Sequence, residues 1–539
     1  MGFGTTAFRL RGIWAVLCLL VVAAGRVWAA DGLPARAVKG GYQKAIENAL
    51  EGWNPQQARA IFEEASKDSS VDPLLLRFMD ARILFFEGQY SDALENLAAI
   101  GITVGTTDAY TAEFVRILHN VARQTGAMAR YESEHFIYHV PRGKDELLLP
   151  YLIETAEAQY AALVADFKAD IRLLDPKIRI EVYPDIRGFS SISSLSLDAI
   201  KTSGTVALCK YNRLMITSPR TLARGYRWRD TLGHEMVHYF LTRLTHNRVP
   251  LWLHEGISRF QEERWRNPEV GEFSIYDQSI LSEARDRDYW VPLSAMEPSL
   301  ALLTKPGDTG LAFAELFGIV RMIYQTGGYP LLQSMLAKFA QGASTAAVLQ
   351  QVSLSGPEVL FRNFQREIRS MKLAHIPGRR ILPLEEGSID EAGWSRLPDY
   401  VRRRVLLGDQ MRDRGRYRGA EQEYLLAATG VTGLDASLES KLAEARIEDG
   451  RFDAAWQGMQ KALVIYDSDP RLQLAAGKAA LRRGDNAQAI KYLENTLGIH
   501  PFQRELFALL AEAYESQTMD KQARRAREAR DFLAGYDEE

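Results

Sequence analysis

The sequence predicts a mostly α-helical chain with an α+β domain in its middle, a helical-repeat solenoid at the C-terminus and a shorter helical-repeat region at the N-terminus. Three observations predict this class. A glycine followed five residues later by alanine recurs at Gly415/Ala420, Gly450/Ala455 and Gly484/Ala489, and with Ala523 closing a degenerate fourth copy these alanines stand 35, 34 and 34 residues apart. Between about residue 130 and residue 220, short aromatic and β-branched runs alternate with helical patterns. The same region leads into a helix-period stretch carrying two histidines four positions apart.

With 539 residues, 46 % of them hydrophobic, the chain has apolar material for several cores, and three or four domains are expected. A formal net charge of -3 leaves no electrostatic footprint for nucleic acid, which is excluded as a partner. The run Arg402-Arg403-Arg404 is followed closely by acidic residues and reads as a solvated helix face. Arg9 and Arg11, the apolar run Ile13 to Ala24 and the small-residue end Val27-Trp28-Ala29 read together as a secretory signal peptide over residues 1–30. That run is short for a bilayer and Arg26 closes it. The expectation is an exported chain, periplasmic or secreted, with no stable membrane insertion after signal cleavage. Cys18 leaves with the signal, so Cys209 stands alone and no intramolecular disulfide can form. In the apolar run Val206-Ala-Leu-Cys209 it reads as a buried small residue.

Residues 41–127 read as paired helices, with Ala58 and Ala93 in equivalent places 35 residues apart. This period resembles that of tetratricopeptide repeats, with one clear copy. Residues 128–372 form the middle domain. Phe136 to Val140, Ile178 to Tyr183 and Leu214 to Ser218 read as strands and Leu147 to Phe167 as a long helix. Either Thr205 to Leu208 or Leu214 to Ile216 would give the sheet an exposed edge to which an extended peptide could add.

The chemistry lies in Thr231-Leu-Gly-His-Glu-Met-Val-His-Tyr-Phe-Leu241. Leu232, Met236, Val237, Phe240, Leu241 and Leu244 recur at helical spacing and form one apolar stripe. His234 and His238 fall beside it, one turn apart on one face, where both can reach a single tetrahedral Zn²⁺ and line a cleft. Glu235 lies about 100° further round the helix, beside the metal. A carboxylate there can take a proton from a water that zinc has acidified to a pKa of about 7, and hand it to a leaving amine. A second helical pattern begins around Pro250, with Trp252, Leu253, Ile257 and Phe260 on its buried side and Glu255 pointing the other way. A helix, a turn and a return helix can bring Glu255 opposite the two histidines as the third ligand, leaving the fourth position open. His246 and His254 read as ordinary loop and polar-face histidines. His135 and His139 also sit four apart, but in a strand that spacing separates them by roughly 13 Å, too far to share an ion.

His234-Glu-x-x-His238 followed by Trp252-Leu-His-Glu-Gly256 resembles the gluzincin zinc metallopeptidases. The resemblance implies a zincin-like domain, Zn²⁺ held by His234, His238 and Glu255, Glu235 as the catalytic base, and a peptide or protein substrate. It continues past Glu255 through Pro292-Leu293 and a helix from Leu311 to Thr326, to about Met371. It departs at Phe313, where such chains often carry a tyrosine; phenylalanine cannot donate a hydrogen bond to an oxyanion. Tyr289 and Tyr324 are the nearest tyrosines by sequence that could replace it. No Gly-x-Met-Glu-Asn segment marks an aminopeptidase, so an endopeptidase is expected.

Prolines and glycines cluster between 373 and 398, which reads as a linker. Beyond it, residues 399–535 carry the recurring glycine turn and small packing residue, and resemble tetratricopeptide repeats. The resemblance implies a concave surface for a protein partner. The expected function is therefore an exported zinc metallopeptidase whose repeats bind a partner or substrate. The alternative is a repeat-based interaction scaffold carrying a catalytically inactive zincin domain.

Overall fold

The computed structural model describes residues 41–536, apart from 377–384, 387–396 and the loop positions 104, 106, 107, 171, 173, 175, 176, 298, 301, 302, 304, 306 and 353. The expected signal, residues 1–30, and most of the expected linker lie outside the described residues. The chain is mostly helical with one small mixed sheet. It divides into two compact units, the first made of residues up to Gly143, Leu149–Thr217 and Asp230–Leu373, the second of Lys144–Leu148, Ser218–Arg229 and Ala374–Glu539. No described helix is long and apolar enough to cross a membrane.

In the first unit, five helices (Tyr42–Glu51, Pro55–Ala65, Pro73–Glu87, Tyr90–Ala99 and Ala109–Ala127) precede the sheet. Two of them start on an Asx-Pro pair: the Asn54 and Asp72 side chains accept from the amides of Gln57 and Leu74, and the following proline occupies a position whose amide has no helical acceptor. Ala58 and Ala93 are fully buried at the helix contacts, as the repeat spacing implies. The sheet strands are β1 (Ala129–Glu132), β2 (Phe136–Val140), β3 (Ile178–Tyr183), β4 (Ala207–Lys210) and β5 (Arg213–Thr217), in spatial order β1-β2-β3-β5-β4. β2, β3 and β5 run parallel, and β1 and β4 are antiparallel edges. Central β3 and β5 are buried on both faces. Of the two expected edges, the segment around 207 stands at the edge, whereas Leu214–Ile216 is interior.

The expected division at residue 127 is not a boundary between compact units, because the first helices and the sheet share a polar core. The Arg179 guanidinium donates to the last carbonyls of the helix Pro73–Glu87, at Phe86 and at Glu87 (2.6 Å), satisfying oxygens that a helix end leaves open. Glu181 accepts from the hydroxyls of Tyr90 and Tyr183, each at 2.6 Å, and pairs with Arg213 at 3.1 Å with both side chains fully buried.

The unit continues with the histidine helix (Trp228–Thr245, from Asp230 onward), the glutamate helix (Leu251–Gln261), the helix Ile275–Arg287 and the long segment Asp308–Ala340. That segment breaks at Gly328, whose φ of 59° and ψ of -159° are non-helical, two residues before Pro330. The expected end at Thr326 falls just ahead of this break.

Among the described residues the second unit holds eight α-helices in four hairpins: Asp399–Arg412 with Tyr417–Ala428, Ala436–Glu448 with Phe452–Ile465, Pro470–Arg482 with Asn486–Leu497, and Arg504–Ser516 with Asp520–Ala534. Gly415, Gly450 and Gly484 each turn the chain at a φ between 69° and 79°, a conformation without steric penalty only for glycine. Ala420, Ala455, Ala489 and Ala523 are buried where the two helices of a hairpin meet. Arg402 and Arg404 pair with Asp399 and Glu423, so the arginine run is a charged helix face. Two stretches far away in sequence complete this unit, against the expected contiguous 399–535. Asp145 accepts from Ser218 Oγ at 2.6 Å and pairs with Arg220, and the Trp228 indole donates to the Leu497 carbonyl at 3.0 Å.

Candidate metal centre

The histidine helix is buried on every side, so only hydrogen-bonded or metal-binding polar groups are tolerable along it. His234, His238 and Thr242 recur every four residues and share one face. On the glutamate helix, Glu255, Ser258 and the C-terminal Glu262 recur at three and four. The partners run in opposite order along the two elements: His234 meets Glu262, His238 meets Ser258, and Thr242 meets His254. The helices therefore lie antiparallel, as a helix, turn and return helix requires. Gly233 permits the approach, since a Cβ there would run into the Glu262 carbonyl oxygen.

His234 Nε2 and His238 Nε2 each lie 3.5 Å from Glu255 Oε2, and ligand atoms of the three residues all fall within 4.8 Å of one another. Beyond this mutual approach, none of the three atoms has a hydrogen-bond partner. The side chains of His234, His238 and Glu255 are 2 %, 1 % and 1 % exposed, and Glu235 is wholly buried beside them in sequence. Three buried, converging donor atoms left otherwise unsatisfied are costly unless a cation takes them up, and two imidazoles with one carboxylate suit Zn²⁺. The histidines, expected to line a cleft, are almost wholly enclosed.

Burial holds His234 below the ordinary imidazole value, against an opposing pull from Glu255, and drives His238 and His254 well below it, reinforced by neighbouring histidines. Those directions favour the neutral imidazole, the form that binds metal. Burial also raises Glu255, against the pull of His234; a dication among these atoms would reverse that direction. The Cys209 thiol is pushed well up, by burial first and then by Glu235, which makes it an inert core residue.

Three residues at this site escaped the sequence reading. His254 is not a surface histidine: its Nδ1 lies 2.6 Å from His238 Nδ1 and its ring stacks on that of His238. Ser258 Oγ lies 3.1 Å from the same His238 nitrogen, and Glu262 Oε2 lies 3.2 Å from His234 Nδ1, held by an ion pair with Arg259. The periodicity of Glu255, Ser258 and Glu262 was the available signal. His246 sits in the connecting loop at a φ of 54°. His135 bonds Glu157 at 2.6 Å and stacks on Tyr160, a structural role.

The Phe313 ring packs 6.2 Å from that of His234. Neither candidate replacement donor is directed to the site: the Tyr289 hydroxyl donates to the Asp308 carboxylate, and the Tyr324 ring packs between Phe260 and Tyr329.

Neither protein-family models nor curated proteins match the sequence. Among solved structures, the chain aligns with one titled "Crystal Structure of the Yeast Tom70" at 10 % identity over 89 % of each chain. The TM-score of 0.21 is too low for a common architecture to follow from it.

Proposed function

We propose that the chain is an exported zinc metallopeptidase of the gluzincin kind, with residues 1–30 directing export and the C-terminal repeats binding a protein partner or substrate. The observation that supports this best is the convergence of His234 Nε2, His238 Nε2 and Glu255 Oε2 with no other hydrogen-bond partner. Those three residues would hold Zn²⁺, which supplies a Lewis acid and lowers the pKa of a water. Glu235, next to His234 in a dry surrounding, would take the proton from the attacking water at its carboxylate oxygen. It would then deliver that proton to the nitrogen of the departing amine. The endopeptidase reading rests on the sequence alone.

Glu235→Gln keeps the shape of the side chain and removes the base. Zinc content should stay at the parental level while peptide hydrolysis falls by about 10²–10⁴-fold. One observation favours the scaffold reading: Phe313 offers no oxyanion donor, and neither Tyr289 nor Tyr324 replaces it. A parent protein that cleaves nothing in a broad peptide library, while a partner binds through residues 399–535, would make the scaffold the function.

A further inference from the structure

We infer that His254 and Thr242 form a hydrogen-bonded relay that holds the Nδ1 proton of His238 and so supports metal binding through its Nε2. The inference rests on the metal reading of His234, His238 and Glu255 and concerns how this chain prepares one of those ligands. A neutral imidazole carries one proton on two nitrogens, and only the bare nitrogen is a ligand. His238 points Nε2 at Glu255 and Nδ1 at His254. At 2.6 Å, the facing Nδ1 atoms of His238 and His254 can hold a single proton between them, since two protons collide and two lone pairs repel.

Two arrangements satisfy that contact, and they differ at the metal. With the proton on His238 Nδ1, Nε2 is bare and aimed at the ligand cluster. With the proton on His254 Nδ1, His238 must carry its own proton on Nε2, aimed at Glu255, and no ligand remains. A cation taken up at Nε2 would require the first, and the far end of the relay can support it. In that arrangement His254 carries its proton on Nε2, which lies 3.4 Å from Thr242 Oγ1, a hydroxyl able to accept it. Ser258 Oγ, 3.1 Å from His238 Nδ1, can accept the His238 proton as well. With a cation bound, the direction would then be His238 to His254 to Thr242, each nitrogen donating toward the histidine helix's last turn.

His234 obtains the same result differently. Its Nδ1 faces Glu262, a carboxylate that only accepts when ionised and that Arg259 holds in place. One ligand is thus ordered by a charge and the other by a neutral chain of three side chains. His254 and Thr242 are positioning residues. Neither belongs to the cluster of His234, His238 and Glu255.

The test measures zinc affinity by chelator competition for the parent, His254→Leu, His254→Asn and Thr242→Val. It also assigns imidazole tautomers by ¹⁵N NMR in the zinc-bound full-length protein. His254→Leu should bind zinc about 10–100-fold more weakly, the range for losing a partner of a metal-bound histidine. His254→Asn, which restores an acceptor, should recover most of the loss. Thr242→Val is nearly isosteric and should weaken binding in the same direction with an unchanged zinc-free melting temperature. The parent spectrum should place the His238 proton on Nδ1 and the His254 proton on Nε2. Parental affinity in both His254→Leu and Thr242→Val, or a His254 proton on Nδ1 in the zinc-bound parent, would overturn the relay alone. A parent that binds no zinc would overturn the metal reading and the relay's purpose with it.

Discussion

The histidine and glutamate helices and the repeat hairpin Pro470–Arg482/Asn486–Leu497 are the same device, two antiparallel helices joined by a short turn, put to opposite uses. In the repeat hairpin Gly477 lies beneath the Leu493 side chain and near the Ala489 carbonyl, and Ala480, Ala489 and Leu493 are fully buried. The Asp469 side chain starts the pair by accepting from the amides of Arg471 and Leu472, with Pro470 at the first helical position. That interface asks mainly for small, complementary shapes, with one side-chain hydrogen bond, from Asn495 to Gln473, between its helices. Between the histidine and glutamate helices the contact carries His234, His238, Thr242, His254, Glu255 and Ser258, equally buried but polar. Such an interface is stable only if each group has a partner, and it then specifies chemistry as well as packing. The difference teaches that burial alone does not mark a core; what matters is whether the buried polar atoms converge.

Glycine substitutions break the comparison most severely. At Gly233 an added methyl meets backbone, the Glu262 carbonyl, which cannot rotate away. Gly233→Ala should force the helices apart, cost upwards of about 3 kcal/mol, the top of the range for overpacking, and abolish zinc binding. At Gly477 the added methyl meets the Leu493 side chain at 2.6 Å, which can change rotamer, and the Ala489 carbonyl only at 3.4 Å. Gly477→Ala should cost about 1–3 kcal/mol and leave zinc content untouched. Denaturant unfolding together with metal analysis of the two variants measures both, and equal losses would mean that the two crossings are built alike.

A smaller effect sharpens the comparison between buried histidines. His500, in the repeat unit, has a buried Nδ1 without a hydrogen-bond partner, and burial lowers it from 6.5 to about 4. Between those values the unfolded chain takes up a proton that the folded repeats refuse. Stability from this group is therefore intact above pH 6.5 and is lost as the pH falls toward 4. By pH 5.5 the loss is on the order of 1 kcal/mol. His500→Leu should flatten that part of the acid-unfolding profile, and an unchanged profile would show that His500 does not carry it.

What was legible in the sequence is what a single element determines. The spacing of His234 and His238 places them on one helix face whatever surrounds the helix, and Gly415, Gly450 and Gly484 announce turns because few other residues adopt their conformation. Both readings needed no knowledge of a neighbour. His254 was misread because its role depends on the register between two helices, which brings it to His238 Nδ1 across the pair. The strand β1 went unread because Ala129-Arg-Tyr-Glu132 is short and scarcely apolar. The membership of residues 144–148 and 218–229 in the second unit rests on contacts such as Trp228 with Leu497, more than 250 positions apart, which no local pattern encodes. The closed setting of the candidate metal centre is likewise a product of tertiary packing, since the helix pattern alone places the histidines only beside a cleft.

The central claim is that Glu255 and Glu235, twenty positions apart and both buried, do different work at one ion. Native mass spectrometry of the parent, Glu235→Gln and Glu255→Ala tests it most directly, because it counts metal without needing a substrate. One zinc per chain is predicted for the parent and for Glu235→Gln, and loss of zinc for Glu255→Ala, since two histidines alone hold the ion weakly. Full zinc in Glu255→Ala, or loss of zinc in Glu235→Gln, would contradict the assignment of ligand and base.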